Sequence, residues 1–163
     1  GKGYPNLNDD DWLWGGTPDA IYTTLKHGIR YTDDPETRDS QMPSFGLDGI
    51  LTPEQIEQVA NYVVSLSGET ADAGKAEAGK QIFAENCAAC HADDGKGNRD
   101  FGAPNLTDKL WLYGGTIDDV KAQLHKPSMG VMPGWTKRLD DAEIKELAIY
   151  VHSLGGGEAP ATQ

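Results

Sequence analysis

Two cysteines and a histidine stand together near the middle of the chain, in the run Cys87-Ala88-Ala89-Cys90-His91. Two thiols at this spacing can form thioethers with the two vinyl groups of a haem, and the histidine that follows can ligate the iron. A thioredoxin-like redox pair would need a β-α-β context, and a zinc site would need two further ligands at ordered spacing. Because the surrounding sequence offers neither, it predicts one covalently attached haem c held by Cys87, Cys90 and His91.

A haem that only transfers electrons needs a sixth iron ligand, and a methionine thioether in that position raises the reduction potential. Met129 and Met132 are the methionines that follow His91 in the chain. Met132 is followed by Pro133, which stiffens the loop, and by Trp135, which can pack on the ring. The alternative role for Met132 is to fill a gap in the core. We predict Met132 as the distal ligand of the haem at His91.

Composition limits the classes of protein that the chain can represent. The 163 residues suffice for one ordinary domain or two small ones, and the formal charge of −12 predicts repulsion from nucleic acid and attraction to basic partners. Two cysteines exclude a disulfide framework and a four-cysteine zinc site. Apolar stretches are too short to span a bilayer, and the chain begins with Gly1. We expect a processed or excised segment, with any membrane anchor removed or upstream.

The chain is an internal repeat. Five landmarks recur in the same order, with offsets that change where loops differ in length. They are Gly1-Lys2-Gly3 with Gly95-Lys96-Gly97, Asn6-Leu7 with Asn105-Leu106, Trp12 to Thr17 with Trp111 to Thr116, Met42-Pro43 with Met132-Pro133, and Tyr62 to Leu66 with Tyr150 to Leu154.

The two copies differ at their beginnings. A helix-prone run from Ala76 to Asn86 leads into the cysteine motif of the second copy, whereas the equivalent of His91 in the first copy would fall before Gly1. The sequence therefore predicts four regions: a truncated first domain at 1–67, a polar linker at 68–75, a complete domain at 76–157 and a tail at 158–163.

Helix signals recur along both copies, and no sustained period-two alternation appears. Thr17, Thr52 and Thr116 each stand where a helix N-cap is expected. The last helix of the first copy would expose Ile56, Val59 and Val63, whose burial is worth about 1.5–3 kcal/mol each. We therefore expect the first domain to be loose alone, or to borrow its missing half from upstream sequence or from a neighbour. The helix signals, without period-two alternation, predict an all-α fold.

Two further stretches carry a specific resemblance. The run from Gly102 to Gly115 (GAPNLTDKLWLYGG) and the ending from Tyr150 to Gly157 (YVHSLGGG) resemble the dihaem CcoP (FixP) subunit of the cbb-type, C-family haem-copper cytochrome c oxidase. The resemblance covers nearly the whole chain. It implies tandem class I cytochrome c-like domains, of which the first lacks its N-terminal part, with the membrane anchor and the first Cys-x-x-Cys-His motif absent from this chain.

The resemblance also implies ligands, partners and a location. His91 and Met132 would ligate the haem on this chain, and Met42 would ligate a second haem in the complete protein only. The implied role is to relay electrons to the haem-copper catalytic subunit that reduces oxygen, beside a monohaem cytochrome subunit, on the periplasmic side of the bacterial inner membrane. The charge of −12 predicts that the electron donor is a basic cytochrome. Two alternatives stay open: a cytochrome subunit of a periplasmic dehydrogenase, and a dihaem peroxidase.

Overall fold

The computed structural model describes residues 3–159, and it is helical. Its six helices are α1 (Pro18–His27), α2 (Pro53–Leu66), α3 (Ala73–Asn86), α4 (Ala88–His91), α5 (Ile117–His125) and α6 (Asp141–His152). Within residues 3–159 the only extended pairing consists of isolated bridges, with no strand. The expectation of an all-α fold is confirmed.

The helix starts follow from local capping. The Thr17, Thr52 and Thr116 side chains each accept a backbone N–H of the first turn, as predicted, and the last two complete a capping box. The opening helix of the second copy begins at Ala73, three residues before the predicted start. The reason is Asp72, whose carboxylate caps the helix by accepting the Lys75 N–H and so extends it into the predicted linker.

The helices form two compact units that do not follow the order of the sequence. We call the first the cysteine unit; it contains residues 41–98 and 103–129, together with Gly3. The second unit contains residues 4–40, 99–102 and 130–159 of the described chain. Each unit therefore combines segments of both sequence copies, whereas the sequence predicted two consecutive domains.

In the cysteine unit, the last helix of the first copy packs on helices of the second copy. Helix α2 contacts α3 and α5, and the core residues Val59 and Phe83 are 0% and 2% exposed. Ile56 and Val63 are buried as well. The face that the first domain alone would expose is therefore covered in this chain, because α3 of the second copy supplies the apolar partner that the first copy lacks.

The crossing of α2 and α3 is a close backbone approach. A Cβ atom added at Gly79 of α3 would lie 2.2 Å from the Gln58 carbonyl oxygen and 2.9 Å from the Val59 Cα. Beside this crossing the Tyr62 and Phe83 rings pack with their centroids 5.2 Å apart. Only glycine allows the two helices to approach this closely.

The second unit is built on helices α1 and α6, which pack against each other. Its core contains Ile21 and Leu25 of α1 with Ile144 and Ala148 of α6. The Tyr22 hydroxyl donates to the Asp141 carboxylate at 2.5 Å, which ties the start of α6 to α1. Here α6 takes the place beside α1 that sequence order would assign to α2.

Polar contacts made by α2 explain why α2, and not α6, packs on α3. Glu57 on α2 pairs with Lys75 of α3 at 3.0 Å and with Lys121 of α5 at 2.5 Å. Asn61, which is 1% exposed, accepts the backbone N–H of Asp72, the residue that caps α3. The first interaction joins three helices by charge, and the second satisfies a buried amide.

Replacing Glu57 by Lys should lower the thermal midpoint of the chain at neutral pH, because three ammonium groups would then meet where one carboxylate bridges two. The two lysines, Lys121 before Lys75, hold the pKa of the Glu57 carboxyl below its ordinary value. A carboxyl with a depressed folded-state pKa stabilises the fold above its ordinary pKa, and this contribution is lost as pH falls through the folded-state pKa. The deficit of Glu57→Lys relative to wild type should therefore shrink in acid.

The matched control for that variant is Glu77→Lys, which makes the same charge change on an exposed residue of α3. Thermal unfolding of both variants at low and high salt compares the two positions. Equal midpoints for the two variants at low salt would show that Glu57 does not join the helices.

Candidate functional site: the haem attachment motif

The cysteine motif occupies the start of a one-turn helix directly after α3. Cys87 ends α3 and precedes α4, and Cys90 lies within α4. Cys87 is buried in the core of the unit, and Cys90 is partly exposed. Both thiols are free, and burial raises the pKa of Cys87 to about 11. Such a thiol has almost no thiolate at neutral pH, unlike the low-pKa thiol of a catalytic redox pair.

A hydrogen bond to one ring nitrogen orients the His91 imidazole and leaves the other ring nitrogen free. Its Nδ1 lies 3.1 Å from the Pro104 carbonyl oxygen, which fixes the tautomer with Nδ1–H as donor and leaves Nε2 as the free lone pair. Burial lowers the pKa of the His91 imidazole, so the neutral ligand form predominates at pH 7. Ala92, at a φ of +63°, then turns the chain so that the Gly97 N–H reaches the His91 carbonyl at 2.9 Å.

The surroundings of the motif fit a haem. Cys87 belongs to a buried apolar cluster with Leu106, Val120 and Leu124, and Trp111 packs against the same cluster. Two free thiols at vinyl spacing, an imidazole with one free nitrogen and an apolar wall are the groups that a covalent haem c requires.

A methionine loop of the first copy completes this unit. Met42 is half-buried and packs against the cluster that contains Cys87. The loop is pinned to the end of α5, where the Gly46 N–H donates to the Leu124 carbonyl at 3.2 Å and the Leu47 N–H to the His125 carbonyl at 3.0 Å. Phe45, in the same loop, is buried in that cluster. The unit that holds His91 therefore contains Met42.

The methionine loop of the second copy lies in the second unit. Met132 and Ile29 exchange two backbone hydrogen bonds of 2.9 Å, and the backbone N–H of Trp135 donates to the Leu25 carbonyl at 3.0 Å. A Cβ added at Gly28, whose φ is +73°, would lie 2.2 Å from the Met132 carbonyl oxygen. Met132 is thus fixed against the chain that follows α1, and its side chain packs with the α1–α6 core.

The structure therefore places Cys87, Cys90, His91 and Met42 in the cysteine unit, and Met132 in the second unit. The prediction of Met132 as the ligand opposite His91 gains no support from this arrangement. The physical reason is that each methionine loop is pinned to the helix of the other copy. Proximity in sequence favoured Met132, and the repeat alone cannot distinguish the two pairings.

A helical fold with a buried apolar cluster beside a Cys-x-x-Cys-His turn, a fixed histidine and a methionine loop defines a c-type cytochrome. The comparisons agree with this class. Residues 74–151 match the family model described as cytochrome c oxidase, cbb3-type, subunit III, and residues 1–67 match the cytochrome c family model. Both matches run in sequence order, one to each copy, while the structure exchanges the methionine loops between the copies.

Named relatives are similar over nearly all of the chain. The cbb3-type oxidase subunit FixP of Sinorhizobium medicae is 58% identical over 97% of this chain and 54% of its own length. The CcoP subunit of Cereibacter sphaeroides is 56% identical, and the FixP subunit of Bradyrhizobium diazoefficiens is 54% identical, each over 96% of this chain and 54% of its own length. The chain belongs to this family of cbb3-type oxidase cytochrome subunits, and its cofactor is covalent haem c.

The chain spans about half the length of the relatives that it matches. Across residues 3–159, no helix is long and apolar enough to cross a membrane.

Proposed function

We propose that this chain relays single electrons to the catalytic subunit of a cbb3-type cytochrome c oxidase, where oxygen is reduced to water. The observation that supports this most strongly is the 58% identity to a FixP subunit over 97% of the chain, combined with the haem attachment site. The bound haem supplies one-electron chemistry at iron, without bonds made or broken in a substrate. The chain itself has no substrate chemistry to perform.

The protein's part is to bind and tune the cofactor. Cys87 and Cys90 tether the haem, and His91 offers Nε2 because Pro104 holds Nδ1. The buried cluster around Leu106 excludes water from this region, and a water-poor, apolar site favours the less charged reduced state. These features suit an electron relay with a raised reduction potential.

We propose Met42 as the distal ligand of the haem at His91. The support is the position of its loop, which is pinned to α5 inside the cysteine unit. Met132, pinned beside Ile29 in the second unit, would then serve a second haem that this chain does not attach, since the chain has one Cys-x-x-Cys-His motif. This assignment exchanges the two methionines of the sequence-order prediction.

The proposed setting is supported by the named relatives, which are subunits of cbb3-type oxidases. The partners are the haem-copper catalytic subunit and the monohaem cytochrome subunit of the oxidase, and the electron donor is a basic cytochrome attracted by the charge of −12. The location is the periplasmic side of the bacterial inner membrane. Neither the dehydrogenase alternative nor the peroxidase alternative is favoured by a relative named above.

A chimeric oxidase tests the function. The matching region of the Bradyrhizobium diazoefficiens FixP subunit is replaced by this chain, and cyanide-sensitive oxygen uptake is measured with the purified complex. We expect assembly with the haem-copper subunit and restored uptake. The double variant Cys87→Ala/Cys90→Ala should lose nearly all uptake, because the electron path is interrupted.

The control is Met129→Ala, which changes an exposed methionine near the end of the cysteine unit. It should leave oxygen uptake unchanged. An assembled chimera that consumes no oxygen, or one whose uptake survives loss of both cysteines, would contradict the relay function.

A further inference from the structure

A cluster in the second unit lies outside everything that the electron relay uses. His27 is the last residue of α1, and Asp34 and Glu36 follow in the next loop. The His27 Nδ1 lies 3.1 Å from an Asp34 carboxylate oxygen and 3.5 Å from a Glu36 carboxylate oxygen. One ligand atom from each of the three residues falls within 4.8 Å of the others.

The loop that carries the two carboxylates is an addition to the repeat. Between the tryptophan segments and the methionines, the first copy has nine more residues than the second, so the equivalent helix end of α5 has no such loop. The second copy forms its helix and methionine loop without these residues. The cytochrome repeat therefore does not need the His27, Asp34 and Glu36 cluster for its fold.

The loop holds its carboxylates in place by its own hydrogen bonds. The Glu36 N–H donates to Asp34 Oδ1 at 2.8 Å, and the Tyr31 N–H donates to the Thr37 hydroxyl at 3.0 Å. Asp34 Oδ2 is then directed at His27 Nδ1. The His27 and Asp34 side chains are 14% and 17% exposed, while the Glu36 side chain is 75% exposed, so the cluster opens to solvent on one side.

We propose that His27, Asp34 and Glu36 bind a divalent transition metal of the zinc type. With metal–ligand bonds of about 2.0–2.1 Å, neighbouring ligand atoms of a tetrahedral zinc site lie about 3.3 Å apart, close to the two distances found here. One imidazole and two carboxylates also match the three-ligand set of open zinc sites, in which water takes the fourth position. Calcium needs six to eight oxygen ligands, which this cluster does not offer.

Charge is balanced by the proposed ion. The two carboxylates neutralise a divalent cation when His27 is a neutral ligand, and the competing cation in range of Asp34 is Lys26. The neighbouring carboxylate of Asp33 is directed elsewhere, to Lys137 at 3.3 Å and to the Tyr31 hydroxyl at 3.1 Å. Asp33 is therefore not a ligand, which makes it the natural control.

The test is a calorimetric titration of the haem-loaded, chelator-treated chain with Zn²⁺. Loading with haem removes Cys87, Cys90 and His91 as competing ligands. We expect one Zn²⁺ per chain and no comparable binding of Ca²⁺. His27→Ala and Asp34→Asn should each weaken zinc binding by more than about tenfold, and Glu36→Gln, which changes an exposed side chain without risk to the fold, should also weaken it.

The matched controls are Asp33→Asn and His125→Ala, which remove a neighbouring carboxylate and an exposed helix-end histidine. Both should bind Zn²⁺ as the wild type does. Three results would overturn the proposal: the absence of saturable zinc binding, binding that survives both His27→Ala and Glu36→Gln, or equally tight binding of Ca²⁺. The first would leave His27 and Asp34 as a hydrogen-bonded pair only.

Discussion

Replacing Met42 by Ala in the haem-loaded chain should abolish the methionine-to-iron charge-transfer band of the oxidised protein and lower its reduction potential. The thioether favours ferrous iron, and axial ligation sets haem potentials across a range of about 0.8 V, so the shift should be large. Met42 packs against the cluster that contains Cys87, and its loop is pinned to α5. Optical spectroscopy and potentiometric titration measure both effects.

The matched variant is Met132→Ala, which removes the methionine that sequence order pairs with His91. We expect it to leave the charge-transfer band and the potential of this haem unchanged, because Met132 is fixed beside Ile29 in the second unit. If Met132→Ala removes the band and Met42→Ala does not, the two methionine loops are arranged in sequence order and the exchange described here is wrong.

The attachment motif, the helices and the caps could be predicted because each depends on a short stretch of sequence. Cys87, Cys90 and His91 are consecutive on one turn, and the Thr52 capping box is complete within four residues. The choice between α2 and α6 as the helix that packs on α3, by contrast, does not depend on a short stretch of sequence. The two copies are similar enough that α2 and α6 both present an apolar face with the same spacing. The hydrophobic pattern therefore does not decide whether α2 or α6 packs on α3.

Two aligned positions do distinguish the pairings, and both could have been found in the sequence. Where α2 has Glu57, α6 has Lys145, which would face Lys75 and Lys121 if α6 took the place of α2. Where α2 has Asn61, α6 has Ile149, which cannot accept the backbone N–H of Asp72. The exchange thus avoids a repulsive charge contact and keeps a buried amide satisfied. Comparing the charges across candidate helix pairs would have identified it.

Replacing Gly79 by Ala should destabilise the chain strongly, although alanine is the better helix former. Intrinsic propensity favours the substitution by about 1 kcal/mol in a helix interior. The added methyl, however, would lie 2.2 Å from the Gln58 carbonyl oxygen, and neither backbone can move aside without separating α2 from α3. Overpacking a core typically costs about 1–3 kcal/mol, and a clash with backbone lies at the upper end of that range or above it.

Gly74→Ala on the same helix is the matched control, since its nearest neighbour would be an Asp72 carboxylate oxygen at 3.4 Å. That variant should be as stable as the wild type or slightly more stable. Denaturant unfolding of the haem-loaded chain compares the two, and a total stability of about 5–15 kcal/mol makes the expected loss easy to measure.

Separation of α2 from α3 also loosens the loop that carries Met42, so Gly79→Ala should weaken the charge-transfer band before global unfolding. Equal stability of the two alanine variants would show that α3 does not cross another helix at Gly79.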